Sequence, residues 1–206
     1  LERIDRARAD KDYARAMTAG YQALEARQFE AATKRFEQAN RLRPEATEAS
    51  NALKQTALRA SAARIEQALT AAASHERAER WNEAAGQYRA ALAIDKNLDI
   101  ANSGLARAST RTALDMELEK TLAQAERLSD DAVWRQAQTL LDKARATAAA
   151  GPRLQRQVAA LSSAITRART PVTVVINSDG KTAVSVARIG SFPPFAQHQL
   201  TLLAGR

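Results

Sequence analysis

Residues 25–44 read EARQFEAATKRFEQANRLRP, from Glu25 to Pro44. Their richness in Ala, Arg and Glu would suit any solvated helix. Yet Phe29, Ala32, Phe36 and Ala39 fall at offsets of three, seven and ten, which is one face of a helix, and Pro44 closes the run. Small Ala residues let a neighbouring helix approach closely, and the larger residues plug the gap between helices. The stretch therefore predicts one half of a close-packed helix pair.

The same pattern returns in ERWNEAAGQYRAALAI and AVWRQAQTLLDKARAT. Trp81, Ala84, Tyr88 and Ala91 form the second copy; Trp134, Ala137, Leu141 and Ala144 form the third. This aromatic–Ala–large–Ala–Pro pattern resembles the second helix of the tetratricopeptide repeat (TPR). Gly20 stands at the small-residue position of the first helix in copy one, and Pro44 at its closing proline. Copy two has Ala72 and Lys96 at those positions; copy three has Ala125 and no closing proline. The resemblance spans roughly residues 13–150 and implies helical-hairpin repeats that bind other proteins.

The period is not that of the family. Phe29 and Trp81 are 52 positions apart, and Trp81 and Trp134 are 53 apart, where the family's repeat is about 34. The additional residues lie in two stretches without proline, with only Gly104 interrupting the second. Leu53, Leu58, Ile65 and Leu69 stripe the first stretch; Leu105, Leu114, Leu118 and Leu122 stripe the second. Each is expected to be a single helix of roughly 50 Å at 1.5 Å per residue, with breaks near 60–61 or 109–110 as the rival reading. The expected fold is mainly α: an elongated array of about three repeats at 3–44, 45–96 and 97–150, closed by a capping helix at 152–169. Gly151 suits a helix C′ position and Pro152 the first turn of the next helix.

At Thr170-Pro171 the period changes to two. Val172, Val174 and Ile176, then Val184 and Val186, alternate about Ser178-Asp179-Gly180-Lys181, which predicts a hairpin at Asp-Gly. Pro193-Pro194 breaks the pattern, and QHQLTLLAGR offers a third strand. The segment 170–206 is expected to be the start of a small antiparallel β-domain. Its strand pattern and closing L-x-x-G-R turn resemble the PEGA-type β-domains of bacterial envelope proteins, although the tetrapeptide itself is absent. The chain begins at Leu1 in helical pattern without Met and stops at LTLLAGR. These ends predict a longer protein, with an anchor ahead of Leu1 and further strands after Arg206.

Composition narrows the chemistry. The chain of 206 residues has no cysteine, which removes thiolate metal sites, disulfides and a cysteine nucleophile. Its net charge of +8 points towards nucleic acid or an anionic membrane surface. The basic residues, however, alternate with acids along helices, as on a solvated face. His75 sits where a packing aromatic is expected, and His198 reads as a surface strand residue. Asp130-Asp131 reads as a loop and helix cap, and Asp95 and Asp99 flank another junction. No metal-spaced, nucleophile-elbow or phosphate-loop motif occurs, so neither an enzyme nor a cofactor is expected.

Binding remains. In the family that the repeats resemble, the concave face is lined by first-helix residues. That implies Met17, Tyr21, Leu24 and Glu25 in copy one; Glu66, Leu69, Ala73, Glu76 and Arg77 in copy two; and Glu119, Leu122, Glu126 and Asp130 in copy three. Thr18, Thr70 and Ala123 occupy the central position of the family's carboxylate clamp, so a clamp for a peptide C-terminus is disfavoured. The expected role is a protein–protein interaction scaffold or spacer on the periplasmic side of a bacterial cell envelope. The alternatives are a cytoplasmic location, and a module binding nucleic acid or anionic membrane. Homo-oligomerisation is left open.

Overall fold

A computed structural model of the chain describes residues 2–147, 151–187 and 189–203. The chain is mainly helical, with seven α-helices among the described residues followed by a small strand region. In order they are α1 (Glu2–Glu25), α2 (Phe29–Leu42), α3 (Thr47–Arg77), α4 (Trp81–Ile94), α5 (Asp99–Ala123), a 3₁₀ helix (Ala125–Ser129), α6 (Asp131–Arg145) and α7 (Pro152–Arg169). Strands β1 (Pro171–Asn177), β2 (Val184–Val186), β3 (Gly190–Phe192) and β4 (Gln197–Leu203) follow. The helix-to-strand change falls at the position expected from the period. By contacts the chain divides elsewhere, into compact units Leu1–Ala108 and Ser109–Arg206, the division lying inside α5.

The N-terminal unit repeats itself at a spacing of 52 down to the backbone. Arg27 and Glu79 both adopt left-handed backbone, with φ of 58° and 53°. Just before them, α1 and α3 close in the same way. Gln28 N–H donates to Ala23 O and Arg80 N–H to His75 O, while Arg27 N–H donates to Leu24 O and Glu79 N–H to Glu76 O. The six-to-one bond with a left-handed C′ residue is a Schellman-type stop. The far ends match too: Arg43 N–H donates to Ala39 O, and Asp95 N–H to Ala91 O.

The cores repeat in step. Ala32, Phe36, Ala39 and Ala49 are buried in the first cluster; Ala84, Tyr88, Ala91 and Ala101 take their places in the second. Gly20 lies under Phe36, where a Cβ would come within 2.5 Å of the ring. Helix α3 runs unbroken for 31 residues, about 46 Å, so the rival break near 60–61 is absent. Its stripe is imperfect: Leu58 is 72% exposed.

Helix α5 runs unbroken through Gly104, which is buried beneath Tyr88, and through 109–110, so the rival break there is absent too. It departs from expectation in length: it has 25 residues, fewer than α3, and the chain then tightens into the 3₁₀ helix. Ala125, expected at a first-helix position of copy three, lies in that tighter turn.

The C-terminal unit has a bulkier core. Leu114, Leu118, Leu128, Leu141, Leu154 and Leu161 are buried together with Ala137 and Ala144 of the third copy. Trp134 is half-buried; its Nε1 donates to Ile165 O at 3.4 Å, and the Arg169 guanidinium lies over its ring at 4.8 Å. Helix α7 has the expected bounds and buries Leu154, Leu161 and Ile165. Gly151 is not a left-handed C′ residue. It is the N-cap of α7, in extended backbone at φ −77°, with Pro152 as the first helical residue.

The strand region corrects the expected hairpin. β1 pairs antiparallel with β4, from Pro171↔Leu203 to Asn177↔Gln197, while β2 pairs with β3 in a separate sheet. At the turn, the Asp179 carboxylate accepts from Lys181 N–H (2.9 Å), Thr182 N–H (2.8 Å) and the Thr182 hydroxyl (2.7 Å). Ser178 N–H and Gly180 N–H then donate to Ala196 O and Phe195 O, extending the contact with the segment before β4. Among the described residues there are four short strands rather than three. The L-x-x-G-R turn falls at 202–206, and its last three residues lie outside the described residues.

Candidate functional site

Helix α1 ends against the middle of α3, and the turn after α1 leaves a groove between them of about 280 Å³. Leu24, Phe29, Ala62 and Ala63 form its apolar part. The small alanines keep it open, while Leu24 and Phe29 belong to the packing around Phe36.

Four charges ring this apolar strip. Arg59 Nη1 meets Glu25 Oε1 at 3.2 Å, and Arg27 Nη2 meets Glu66 Oε2 at 2.7 Å. Each pair runs from the α1 side to α3, so the two span the groove. The four side chains are 46–77% exposed. Pairs so open to water contribute about 0–1 kcal/mol, so a ligand bearing both signs exchanges with them at little cost. The groove thus offers an apolar strip for a short side chain, with cationic and anionic groups on both walls.

The expected partner-facing residues divide sharply. Leu24, Glu25 and Glu66 come together in this groove. Met17 is instead buried in the core at 8% exposure, because α1 turns that face towards α2. Leu24 is also a core residue, 2% exposed, and offers the groove little more than its edge. Tyr21 stays 44% exposed, its ring edge-on to Phe36 at 5.1 Å. Glu76 is engaged by Arg107 through two oxygens at 2.9 and 3.2 Å, its side chain 19% exposed. Arg77, the last residue of α3, is exposed.

In the C-terminal unit, Glu126 is exposed in the 3₁₀ helix and Glu119 pairs with Arg153 at 2.6 Å. Asp130 caps α6 through Ala132 and Val133 N–H, as its sequence position implied. Backbone hydrogen bonds from Val133 and Ala132 hold its carboxyl below the ordinary value.

Both histidines are partly covered. His75 is half-buried in α3. His198 is not a plain surface residue: its ring lies 4.7 Å from that of Phe192 and 5.2 Å from that of Phe195. Among the described residues no group of three His, Asp or Glu side chains is arranged to hold a metal ion. No helix among them is long and apolar enough to cross a membrane.

Sequence reading missed Arg27, Arg59, Ala62 and Ala63. Residues 59, 62, 63 and 66 are spaced i, i+3, i+4 and i+7, a single helical face, but one made of Arg, Ala and Glu carries no apolar stripe to mark it. No family model, curated protein or solved structure matches the chain.

Proposed function

We propose that the chain is a non-enzymatic scaffold for protein–protein interaction, built from TPR-like hairpins, with the α1–α3 groove receiving a segment of the partner. The observation that carries this reading is the groove: an apolar strip spanned by two weak, exposed ion pairs of opposite orientation. Its neighbours support a repeat origin, since the turns at Arg27 and Glu79 and the packing of Phe36 and Tyr88 recur at one spacing. A partner segment with a small apolar side chain between acidic and basic residues suits it.

The location proposed is the bacterial cell envelope, on the periplasmic side. The absence of cysteine and the PEGA-like strand pattern support it. The nucleic-acid or anionic-membrane reading is weaker, because Arg27, Arg59, Arg107, Arg153 and Arg169 each face a carboxylate of another element.

Ala62→Trp fills the groove from an exposed helical position. The expected result is a partner retained from envelope extract by the unaltered chain and lost by Ala62→Trp, with unchanged melting. Equal recovery by both proteins rules out the groove. Binding to DNA or acidic vesicles that falls steeply with salt shifts the reading to the charge-based alternative.

A further inference from the structure

The β1–β4 ribbon is made unlike the rest of the chain. Directly opposed residues in an antiparallel pair share a face, so Val172, Val174 and Ile176 lie with Leu202, Leu200 and His198 on one side. That side is only partly covered: Val172 is 51% and Val174 38% exposed, while Ile176, His198, Leu200 and Leu202 are partly buried; Val175 on the other side is 44% exposed. Among the described residues the sheet consists of β1 and β4, so neither strand has a second neighbour there. Two strands fall short of the three or so that stand independently in water.

Natural edge strands are guarded by Lys, other charges or proline against pairing with another chain. Charged residues are 26% of the sequence, yet β1 and β4 contain none. The one proline, Pro171, stands at the very start of β1.

We propose that two copies of the chain pair through the free edge of β1, antiparallel about a twofold axis at Val174, to give a four-stranded sheet ordered β4-β1-β1-β4. Two features fit a second copy. The chain's net charge of +8 opposes self-association as a whole, and this ribbon, without Asp, Glu, Lys or Arg, is a place where contact adds no further repulsion. The seven residues of β1 are also self-matching about their centre. The axis sets Val172 opposite Ile176 of the second copy and Thr173 opposite its Val175, each pair on one face. Leu200 and Val174 of each copy then form a continuous aliphatic row across all four strands, with His198 lying beside Ile176. Pro171 falls at the end of the new ladder, opposite Asn177 of the second copy, where a missing N–H matters least. A slip of one residue would turn every valine to the wrong face, which pins the register.

The absence of native cysteine gives a direct test. Val174→Cys places two thiols across the axis, at the roughly 4.5–5.5 Å Cβ separation of opposed strand residues. Mild oxidation is expected to convert this variant to a reducible dimer at least about tenfold faster than Leu58→Cys, whose exposed site lies on α3 and gains no such effective concentration. By sedimentation equilibrium the unaltered chain is expected to show a monomer–dimer equilibrium. Val174→Lys, which sets like charges face to face, is expected to weaken it at least about tenfold. A chain that stays monomeric at all concentrations overturns the proposal, as do equal cross-linking rates for the two cysteine variants. So does a ladder of species larger than the dimer.

Discussion

The ring of Tyr88 on α4 lies so closely over Gly104 of α5 that a Cβ there would overlap three of its ring atoms. Phe36 makes the same approach to Gly20 of α1. The two aromatics occupy equivalent positions but lean opposite ways: Phe36 onto the helix before it, Tyr88 onto the helix after it. At the spacing of 52, Ala72 stands where copy one has Gly20, and Ala52 where copy two has Gly104; both alanines are buried in the same clusters as the aromatics.

Gly104→Ala is expected to destabilise the N-terminal unit. Helix propensity alone favours Ala by about 1 kcal/mol. Overpacking in a core costs about 1–3 kcal/mol, and Tyr88 is itself buried among Ala84, Ala91 and Ala101, so its ring has to shift within a packed cluster. Steric overlap therefore outweighs the gain in helix propensity. Chemical denaturation measures the loss, and Tyr88→Leu in the same chain should recover much of it, since the two sites are in contact.

Arg27→Gly is expected to stabilise that unit by up to about 1 kcal/mol. A left-handed conformation costs a non-glycine residue about 1–2 kcal/mol, and Arg27 holds φ 58°. The opposing loss is its pair with Glu66, which is exposed on both sides and contributes little. Arg27→Val, a branched residue in the same conformation, should destabilise instead. Thermal melting of both variants separates backbone strain from ion pairing.

The helical part was readable because its signal is local. Ala and aromatic residues at three, seven and ten mark the buried face whatever lies beyond, and the uninterrupted α3 follows from the absence of Pro and Gly. What depends on the neighbouring element was not readable. α5 was expected to pass through Gly104, but why that position is glycine shows only once Tyr88 is seen above it. Met17 and Leu24 fit a binding face by position, but α1 turns them inwards against α2. The Asp-Gly hairpin failed for the same reason: β1 pairs with β4, well beyond the turn, and no local pattern announces a distant strand. The groove was half visible, since Glu25 and Glu66 were singled out while their partners Arg59 and Arg27 look like any solvated charge.

Arg169→Lys is expected to cost the C-terminal unit about 0.5–1 kcal/mol, a typical exposed cation–π contribution. The guanidinium both stacks on Trp134 and meets Asp131. Lysine keeps the charge for Asp131 but loses the flat surface. Trp134 fluorescence should shift in Arg169→Lys, whereas Asp131→Asn, which keeps the guanidinium over the ring, should change it much less.

The turn at Asp179 is expected to survive unusually acid conditions. The Thr182 hydroxyl and the Lys181 and Thr182 amides donate to its carboxylate and lower its pKa from 3.8 to about 2. These bonds need the ionised form, so the folded turn releases its proton more readily than the unfolded chain does. The stabilisation is therefore complete above the ordinary pKa of 3.8 and disappears as pH falls through about 2. Amide resonances of Lys181 and Thr182 should hold their positions down to about pH 3 and move together near pH 2. Asp179→Asn keeps an acceptor oxygen without the titration, so the same resonances should stay flat across this range. Movement centred near 4 in the unaltered chain would show that the carboxylate accepts none of these bonds in solution.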